Sequence, residues 1–270
     1  MSGYAIDNRW TSSPVAEILD GLRLVQTWSL LAWYDIVIRY RRTFLGPFWL
    51  TLTLAIFVAA LGLVYSTIFQ AKLSEYLPYI AAGIVAWIFI ATVLSESCVV
   101  FIEAEPIIKN TRIPLTVFPC RVALRNLIIL LHNMPVVIVL IIAFGVPLRW
   151  STSLVVLGIA FLYLNALWSC LLVGVLATRY RDVQPLLTNL LQIAFLVTPI
   201  FWSPNLLGRG RYLLADPNPL YHFVEIFRAP LLGQVPSALN YGVVVATTII
   251  GWGTALALFY RVRGRIAFWL

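Results

Sequence analysis

Residues 47–69 read PFWLTLTLAIFVAALGLVYSTIF and contain no Asp, Glu, Lys or Arg. A stretch of about 20 apolar residues is long enough for one α-helix to cross the roughly 30 Å hydrocarbon layer of a bilayer. Of the 270 residues, 61% are hydrophobic and only 11% are charged, whereas a soluble domain carries about 25% charged residues. The chain is therefore predicted to be an all-α integral membrane protein, because lipid must cover much of its exterior.

Six stretches of this kind predict six transmembrane helices. Their ranges are 47–69, 79–101, 121–144, 153–177, 185–202 and 241–260. The fifth is short and contains Thr188, Asn189 and Gln192. These polar residues favour a helix that packs inside a bundle or lines a pathway over one that faces lipid.

The basic residues predict how the helices are oriented. Fourteen of the nineteen Lys and Arg residues fall on the side that holds both termini. The other five are Lys72, Arg149, Arg209, Arg211 and Arg228. Cytoplasmic loops carry an excess of Lys and Arg, so both termini are predicted to be cytoplasmic. The chain then divides into a cytoplasmic segment 1–46, a membrane domain 47–260 and a basic tail 261–270.

The formal net charge of +8 raises nucleic acid as a partner. The basic residues, however, occur in short clusters between long apolar runs and form no basic stripe on a polar domain. Such clusters are typical of topology signals and of contacts with lipid headgroups. Membrane lipids are therefore the predicted partner of these residues, and nucleic acid is not.

The segment 28–43 precedes the first span and is predicted to be an amphipathic helix in the membrane interface. Asp35, Arg39 and Arg42 are spaced at i, i+4 and i+7 and share one helical face, while apolar residues occupy another. A helix with this pattern lies in the interface with its arginines toward the headgroups. The dipeptide Gly46-Pro47 ends it and turns the chain into the first span.

Two connections have the composition of short helices. Residues 102–114 are polar, mixed in charge and contain Pro106 and Pro114, which suits either a short cytoplasmic helix or a solvated loop. Between the fifth and sixth spans, Asn218-Pro219 can begin a helix over residues 219–231. Thirteen residues are too few to span a bilayer, so this segment is predicted to be re-entrant or periplasmic.

The sequence lacks the motifs of an intramembrane enzyme or an ATPase. The two histidines, His132 and His222, have no ligand-like spacing, and the cysteines lack the C-x-x-C pattern. No metal or cofactor is therefore predicted in this chain. Lys72 and Lys109 are preceded by alanine and isoleucine, whereas a Walker A loop requires Gly-Lys. Any ATP-driven transport would need a separate polypeptide to bind the nucleotide.

Two polar residues inside predicted spans, Glu96 and His132, have two interpretations. Ionisable groups at membrane depth are functional sites by default. The alternative is an interhelical hydrogen bond. An intramembrane enzyme of envelope biosynthesis remains an alternative class, although no catalytic set accompanies these residues.

Five segments together resemble the permease subunits of type-2 ABC exporters. They are RYRRTFLGPFWLTL (39–52), EAEPIIKNTRIP (103–114), TRYRDVQPLL (178–187), FLVTPIFWSP (195–204) and NPLYHFVEIFRAPLLG (218–233). Their order and spacing are similar to the Wzm-like branch, which exports O-antigen and related polysaccharides. The resemblance covers nearly the whole chain after about residue 28.

The resemblance implies a homodimer in the bacterial inner membrane with two ABC ATPase subunits, which bind ATP and Mg²⁺ on the cytoplasmic side. A pair of two different halves is the alternative assembly. The implied cargo is an undecaprenyl-pyrophosphate-linked polysaccharide. Teichoic acid, capsule, lipid or drug are the alternative cargoes within the same class.

The resemblance also implies roles for particular residues. The coupling helix that contacts the ATPase would contain Glu103, Glu105, Lys109 and Arg112. A second cytoplasmic contact would contain Arg179, Arg181 and Asp182. The lipid-pyrophosphate headgroup would meet Arg39, Arg41 and Arg42, because guanidinium groups bind phosphate bidentately, although simple topological anchoring explains them equally. The periplasmic gate would contain Asn218, Glu225 and Arg228.

The first and fifth spans line the glycan path in this class of exporter. Aromatic rings offer a translocating sugar flat apolar faces. The implied lining residues are Phe48, Trp49, Phe57, Tyr65, Phe69, Phe195, Phe201 and Trp202. For Trp49 and Trp202, near the ends of their spans, the interfacial aromatic belt is the alternative.

Overall fold

The computed structural model describes residues 14–41, 44, 46, 48–111 and 113–270, and this part of the chain is helical, with no β-strand. The prediction of an all-α protein is therefore confirmed. The described α-helices are α1 Pro14–Arg23, α2 Val25–Tyr40, α3 Phe48–Ile68, α4 Leu73–Ser97, α5 Glu105–Asn110, α6 Val117–Ala143, α7 Leu154–Arg179, α8 Val183–Val197, α9 Arg211–Leu214, α10 Pro219–Leu231 and α11 Ala238–Trp269.

Within the described ranges, five helices are long and apolar enough to cross a membrane: α3, α4, α6, α7 with its preceding turn, and α11. The protein is therefore a multi-pass membrane protein. The predicted fifth span, 185–202, is helical only as α8, whose 15 residues cover about 22 Å. This helix ends at Val197, and Thr198 is extended, because Thr198 precedes Pro199 and the residue before a proline disfavours helical angles. A sixth full-length span is not confirmed.

Helix α4 is the centre of the bundle, and it packs against α3, α6, α7, α8 and α10. Its middle section is buried on nearly every side, including the small residues Ala81, Ala82 and Ala86. Small side chains let neighbouring membrane helices approach closely. Helix α3, in contrast, packs mainly on α4 and α6 and leaves most of its apolar surface exposed.

One end of the bundle collects most of the basic residues, and we call it the basic end. It is formed by α1, α2, α5, the first turns of α6 and the last turns of α4, α7 and α11. Helix α11 runs on to Trp269 for 32 residues. The residues 261–270, which were predicted as a separate tail, thus continue this helix almost to the last residue.

Helix α10 has the bounds that the sequence predicted, residues 219–231. The Asn218 side chain accepts a hydrogen bond from the Leu220 amide at 3.0 Å, which caps the first turn. After the helix, Gly233 adopts φ +73°, and a Cβ there would lie 2.7 Å from the Pro147 carbonyl oxygen. Glycine is required at this turn for both reasons.

Candidate functional site

A network of charged side chains joins α2 to the bundle at the basic end. Asp35 of α2 accepts hydrogen bonds from Arg121 Nε at 2.7 Å and from Arg125 Nη1 at 2.5 Å. Arg125 lies on α6, is only 5% exposed and also donates to Glu96 of α4 at 2.8 Å. The buried guanidinium of Arg125 thus connects three helices through two carboxylates.

Glu96 completes this network. Its carboxylate accepts from Asn126 Nδ2 at 2.6 Å and from Arg39 Nη2 at 3.0 Å. Burial alone would raise the pKa of Asp35, but hydrogen bonds and the charges of Arg121 and Arg125 outweigh it and hold this pKa below its ordinary value. The geometry therefore favours the interhelical interpretation of Glu96, which bonds to residues of both α2 and α6.

The three arginines that were predicted to meet a phosphate headgroup have different surroundings. Arg39 is tied to Glu96, yet 43% of its side chain stays exposed. Arg41 follows α2 and is exposed. Arg42 lies outside the described residues. The network holds three arginines against two carboxylates and so has an excess of one positive charge, and Arg39 is its most exposed arginine.

Helix α1 is fastened to the same end of the bundle. Glu17 is buried and accepts a hydrogen bond from Arg263 of α11 at 2.8 Å. Its other carboxylate oxygen accepts from the Leu115 amide at 3.4 Å, just before α6. This contact fixes the end of α11 relative to the start of α6.

The mixed-charge connection after α4 forms the short helix α5, so the helical alternative for residues 102–114 is the one observed. Lys109 and Glu105 pair with each other at 2.6 Å and remain partly exposed. Ile108 is buried beneath them, and α5 packs against α11. Glu103 is exposed just before the helix, whereas Arg112 lies outside the described residues.

The turn between α7 and α8 is the other exposed feature at the basic end. Arg179 ends α7, and Arg181 and Asp182 follow it before α8 begins. All three side chains are exposed. The structure therefore brings the two sets that were predicted to contact an ATPase to the same end of the bundle, and both have charges open to solvent.

At the opposite end, four of the eight predicted lining residues form one aromatic cluster. Tyr65 lies 5.7 Å from Phe69 and 5.2 Å from Phe201 between ring centroids. Phe201 lies 5.7 Å from Phe195. Trp87 of α4 also belongs to the cluster, with its ring centroid 5.7 Å from that of Phe195. The cluster therefore connects the end of α3 that lies away from the basic end with α8 and the segment after it.

The other four predicted lining residues lie apart from this cluster. Phe48 contacts the ring of His132 on α6 in an edge-on arrangement, with 5.8 Å between centroids. Trp49 and Phe57 are 57% and 44% exposed on α3. The Trp202 indole donates to the Leu196 carbonyl of α8 at 3.2 Å.

The segment 198–202, which follows α8, is held by a buried arginine. Arg228 of α10 is 1% exposed and donates to the Pro199 carbonyl at 2.8 Å. It pairs with Glu225 at 2.6 Å and lies 4.0 Å from the centre of the Tyr79 ring. Burial by itself would lower the pKa of Arg228, but Tyr79 and Glu225 raise it above its ordinary value, so the guanidinium stays charged.

Further hydrogen bonds fasten the same segment. Asn218 Nδ2 donates to the Thr198 hydroxyl at 2.9 Å. The hydroxyls of Tyr76 and Tyr79 donate to the carbonyls of Phe201 and Trp202. Of the three predicted gate residues, Arg228 donates to backbone carbonyls of the segment, Asn218 donates to the Thr198 side chain, and Glu225 acts only through Arg228. The bonds from Arg228, Tyr76 and Tyr79 satisfy carbonyl groups that no helix satisfies there.

Sequence reasoning missed several residues of the charged network at the basic end and of the contacts that hold the segment 198–202. Arg125 was counted only as a topological charge, although an arginine and Glu96 inside predicted spans are a signal for a buried pair. Glu17 carried no signal, since its partner is far along the chain. Tyr76 and Tyr79 were indistinguishable from residues of the interfacial aromatic belt.

Comparison with known proteins agrees with this architecture. The chain is 23% identical over 235 residues to the O-antigen export system permease protein RfbA of Myxococcus xanthus, covering 85% of this chain and 89% of that protein. It is 21% identical over 241 residues to the O-antigen export system permease protein RfbA of Klebsiella pneumoniae, covering 86% and 90%. The family model of the ABC-2 type transporter matches residues 26–232, from α2 to the end of α10. The chain therefore belongs to the ABC-2 type transporter family.

Proposed function

We propose that this chain is the transmembrane subunit of an ATP-driven exporter that moves an undecaprenyl-pyrophosphate-linked, O-antigen-like polysaccharide outward across the bacterial inner membrane. The observation that carries the proposal is the family match together with two relatives, aligned over most of the chain, that are named O-antigen export permeases. The bias of basic residues supports an orientation with both termini in the cytoplasm. The basic end is then the cytoplasmic end.

The surface of α8 supports a polar pathway beside this helix. Gln184, Thr188 and Gln192 are spaced four residues apart and are exposed, as is Asn189. Amide groups at membrane depth are costly against lipid and normally face a bundle interior or a water-filled cavity. In our proposal, a second copy of the chain covers this face, and α3 and α8 of the two copies enclose the path of the sugar chain.

The aromatic cluster lies where such a path would reach the outer end. Its rings, including Tyr65, Phe195 and Phe201, belong to α3, α8 and the segment 198–202. Flat aromatic faces bind sugar rings without deep polar pockets, so a chain can slide. Asn218, Glu225 and Arg228 would act as a gate by holding or releasing this segment.

Substrate would enter at the basic end. Arg39 and Arg41, with Arg42, are proposed to bind the pyrophosphate headgroup, because guanidinium groups bind phosphate oxygens bidentately. Two ABC ATPase subunits, which carry ATP and Mg²⁺, would dock on the same side. Their proposed contacts are α5, with Glu103, Glu105, Lys109 and Arg112, and the turn with Arg179, Arg181 and Asp182.

Deleting the gene tests the cargo. We expect the deletion strain to lose its surface polysaccharide while lipid-linked polymer accumulates on the cytoplasmic side, since synthesis continues and only export stops. The measurement is the surface glycan profile together with the quantity of lipid-linked glycan in inverted membrane vesicles. Expression of the wild-type chain should restore both. Normal surface polymer would refute the polysaccharide cargo and direct the search to teichoic acid, lipid or drug.

The double variant Glu105→Ala/Lys109→Ala tests coupling through α5. The two charges pair with each other, so removing both should cost α5 only about 0.3–0.5 kcal/mol. We expect ATP hydrolysis by the purified complex to continue while export in cells falls to a small fraction of wild type, because the contact that transmits movement is lost.

The pair Lys72 and Glu75 offers a matched control. It is an exposed pair at the opposite end of the bundle, 3.8 Å apart. Lys72→Ala/Glu75→Ala should leave both hydrolysis and export unchanged. If Glu105→Ala/Lys109→Ala exports as well as this control, α5 is not the coupling helix.

A further inference from the structure

A cavity of about 320 Å³ opens between the last turns of α7 and α11 at the basic end. Its walls include Val175 of α7 and Leu258 and Val262 of α11. Its mouth carries Arg179 and Arg265, the final basic residues of the two helices. The site thus has an apolar interior that runs along two candidate membrane spans and a cationic rim at the ends of those helices.

The two arginines at the rim are positioned without carboxylate partners. The Arg179 guanidinium lies 5.4 Å from the centre of the Trp269 ring and 5.8 Å from that of Tyr180. Within the part of the chain that the structure describes, neither Arg179 nor Arg265 forms an ion pair, whereas nearby Arg263 pairs with Glu17. Their hydrogen-bond donors are therefore open to an anion.

The combination of features selects the chemical class of ligand. A soluble anion would use the arginines but not the apolar walls, and a neutral lipid would use the walls but not the arginines. A phospholipid with a phosphodiester and acyl chains uses both. Basic pockets between transmembrane helices on the cytoplasmic side bind anionic headgroups, and Trp269 is the residue type that favours the headgroup level.

We propose that this cavity binds one anionic phospholipid of the cytoplasmic leaflet, with its phosphate between Arg179 and Arg265 and an acyl chain along Val175, Leu258 and Val262. The bound lipid would fasten the end of α7 to the end of α11. It would thereby fix the turn that begins at Arg179. The position of this turn would then depend on a bound lipid, a dependence that the proposed transport function does not include. The proposed lipid site does not depend on which cargo is exported.

The test uses the purified full-length chain, stripped of lipid in detergent and titrated with dioleoylphosphatidylglycerol or dioleoylphosphatidylcholine. Native mass spectrometry counts the lipid retained. We expect the wild type to retain one phosphatidylglycerol and to prefer it over phosphatidylcholine. The variant Arg179→Ala/Arg265→Ala should bind phosphatidylglycerol roughly thirtyfold more weakly, since each arginine near an anionic lipid contributes about 1 kcal/mol.

Arg181→Ala/Arg261→Ala is the matched control. Both residues are exposed, and they lie close to the site in sequence but outside the cavity lining. This control removes the same charge and should retain the lipid. A second variant, Val262→Trp, keeps both arginines but fills the apolar part, and it should lose phosphatidylglycerol as well.

Four results would overturn the proposal. Equal retention of the two lipids would mean that the apolar walls bind lipid without selecting an anionic headgroup. Equal loss in Arg181→Ala/Arg261→Ala would mean a general surface charge effect. Binding of glycerol phosphate as tight as that of phosphatidylglycerol would mean a site for a soluble phosphate. If the wild type retains no phosphatidylglycerol and Arg179→Ala/Arg265→Ala loses binding to the ATPase, the two arginines form a protein contact instead.

Discussion

Replacing Arg228 by alanine is expected to lower the free energy of unfolding by about 3–5 kcal/mol, because it leaves a buried charge network without its central cation. The guanidinium is 1% exposed and pairs with Glu225 at 2.6 Å. It also donates to the Pro199 carbonyl at 2.8 Å. Without it, the Glu225 carboxylate loses its cation and the Pro199 carbonyl loses its donor.

The measurement for Arg228 is thermal unfolding in detergent together with limited proteolysis of the segment 198–218. Arg228→Lys should recover only part of the loss, because a lysine ammonium lacks the planar fork that binds two partners. Exposed Arg149 is the control, and Arg149→Ala should unfold like the wild type. If Arg228→Ala is as stable as that control, the arginine does not hold the segment that follows α8.

If Arg228→Ala still inserts and assembles, its effect on export becomes informative. Under the proposed function, release of the segment 198–202 displaces Phe201, whose ring contacts Tyr65 and Phe195. Export should then fall although α5 is intact. The two halves of the mechanism, coupling and gating, can be tested separately in this way.

Replacing Asp35 by asparagine is expected to destabilise the protein by about 3 kcal/mol, with α2 released from the bundle. Asp35 is the only acid of α2, and it accepts hydrogen bonds from Arg121 and Arg125. In the variant, three arginines are left with the single carboxylate of Glu96, and their mutual repulsion is no longer offset. Thermal unfolding and protease cleavage between α2 and α3 report the two effects.

Two variants give the Asp35 prediction its controls. Asp20→Asn removes an exposed acid whose partner Arg23 is 4.0 Å away, and it should change stability by less than about 0.5 kcal/mol. Adding Arg121→Gln to Asp35→Asn removes one excess cation and should restore part of the lost stability, as a double-mutant cycle detects. Additive losses in the double variant would contradict a shared electrostatic network.

The sequence predicted the helical class and the residues of the short helices well, because both depend on local patterns. Apolar runs define helices in a bilayer, where every backbone group must be satisfied within the helix. Asn218-Pro219 marked the start of α10, because an Asn side chain can cap the first turn and proline suits the first helical position. The end of α8 was harder, since an apolar run continues past Thr198 while Pro199 stops the helix.

The partners of the charged residues were decided by tertiary structure alone. Arg39 was predicted to face headgroups, and the fold also places it beside Glu96, 57 positions along the chain. Eight aromatic residues shared one predicted role, yet only four of them meet, because ring contacts depend on how α3, α4 and α8 pack.

By itself, the sequence determined that this chain crosses a membrane several times, where its charges cluster and which segments resemble an exporter. Hydropathy, caps and charge bias are properties of neighbouring residues, so they can be detected without a fold. Only the tertiary structure decided that Arg125 joins three helices and that Arg228 holds the backbone after α8. Those contacts join residues far apart in sequence, and a buried charge is stable only where its distant partners meet it.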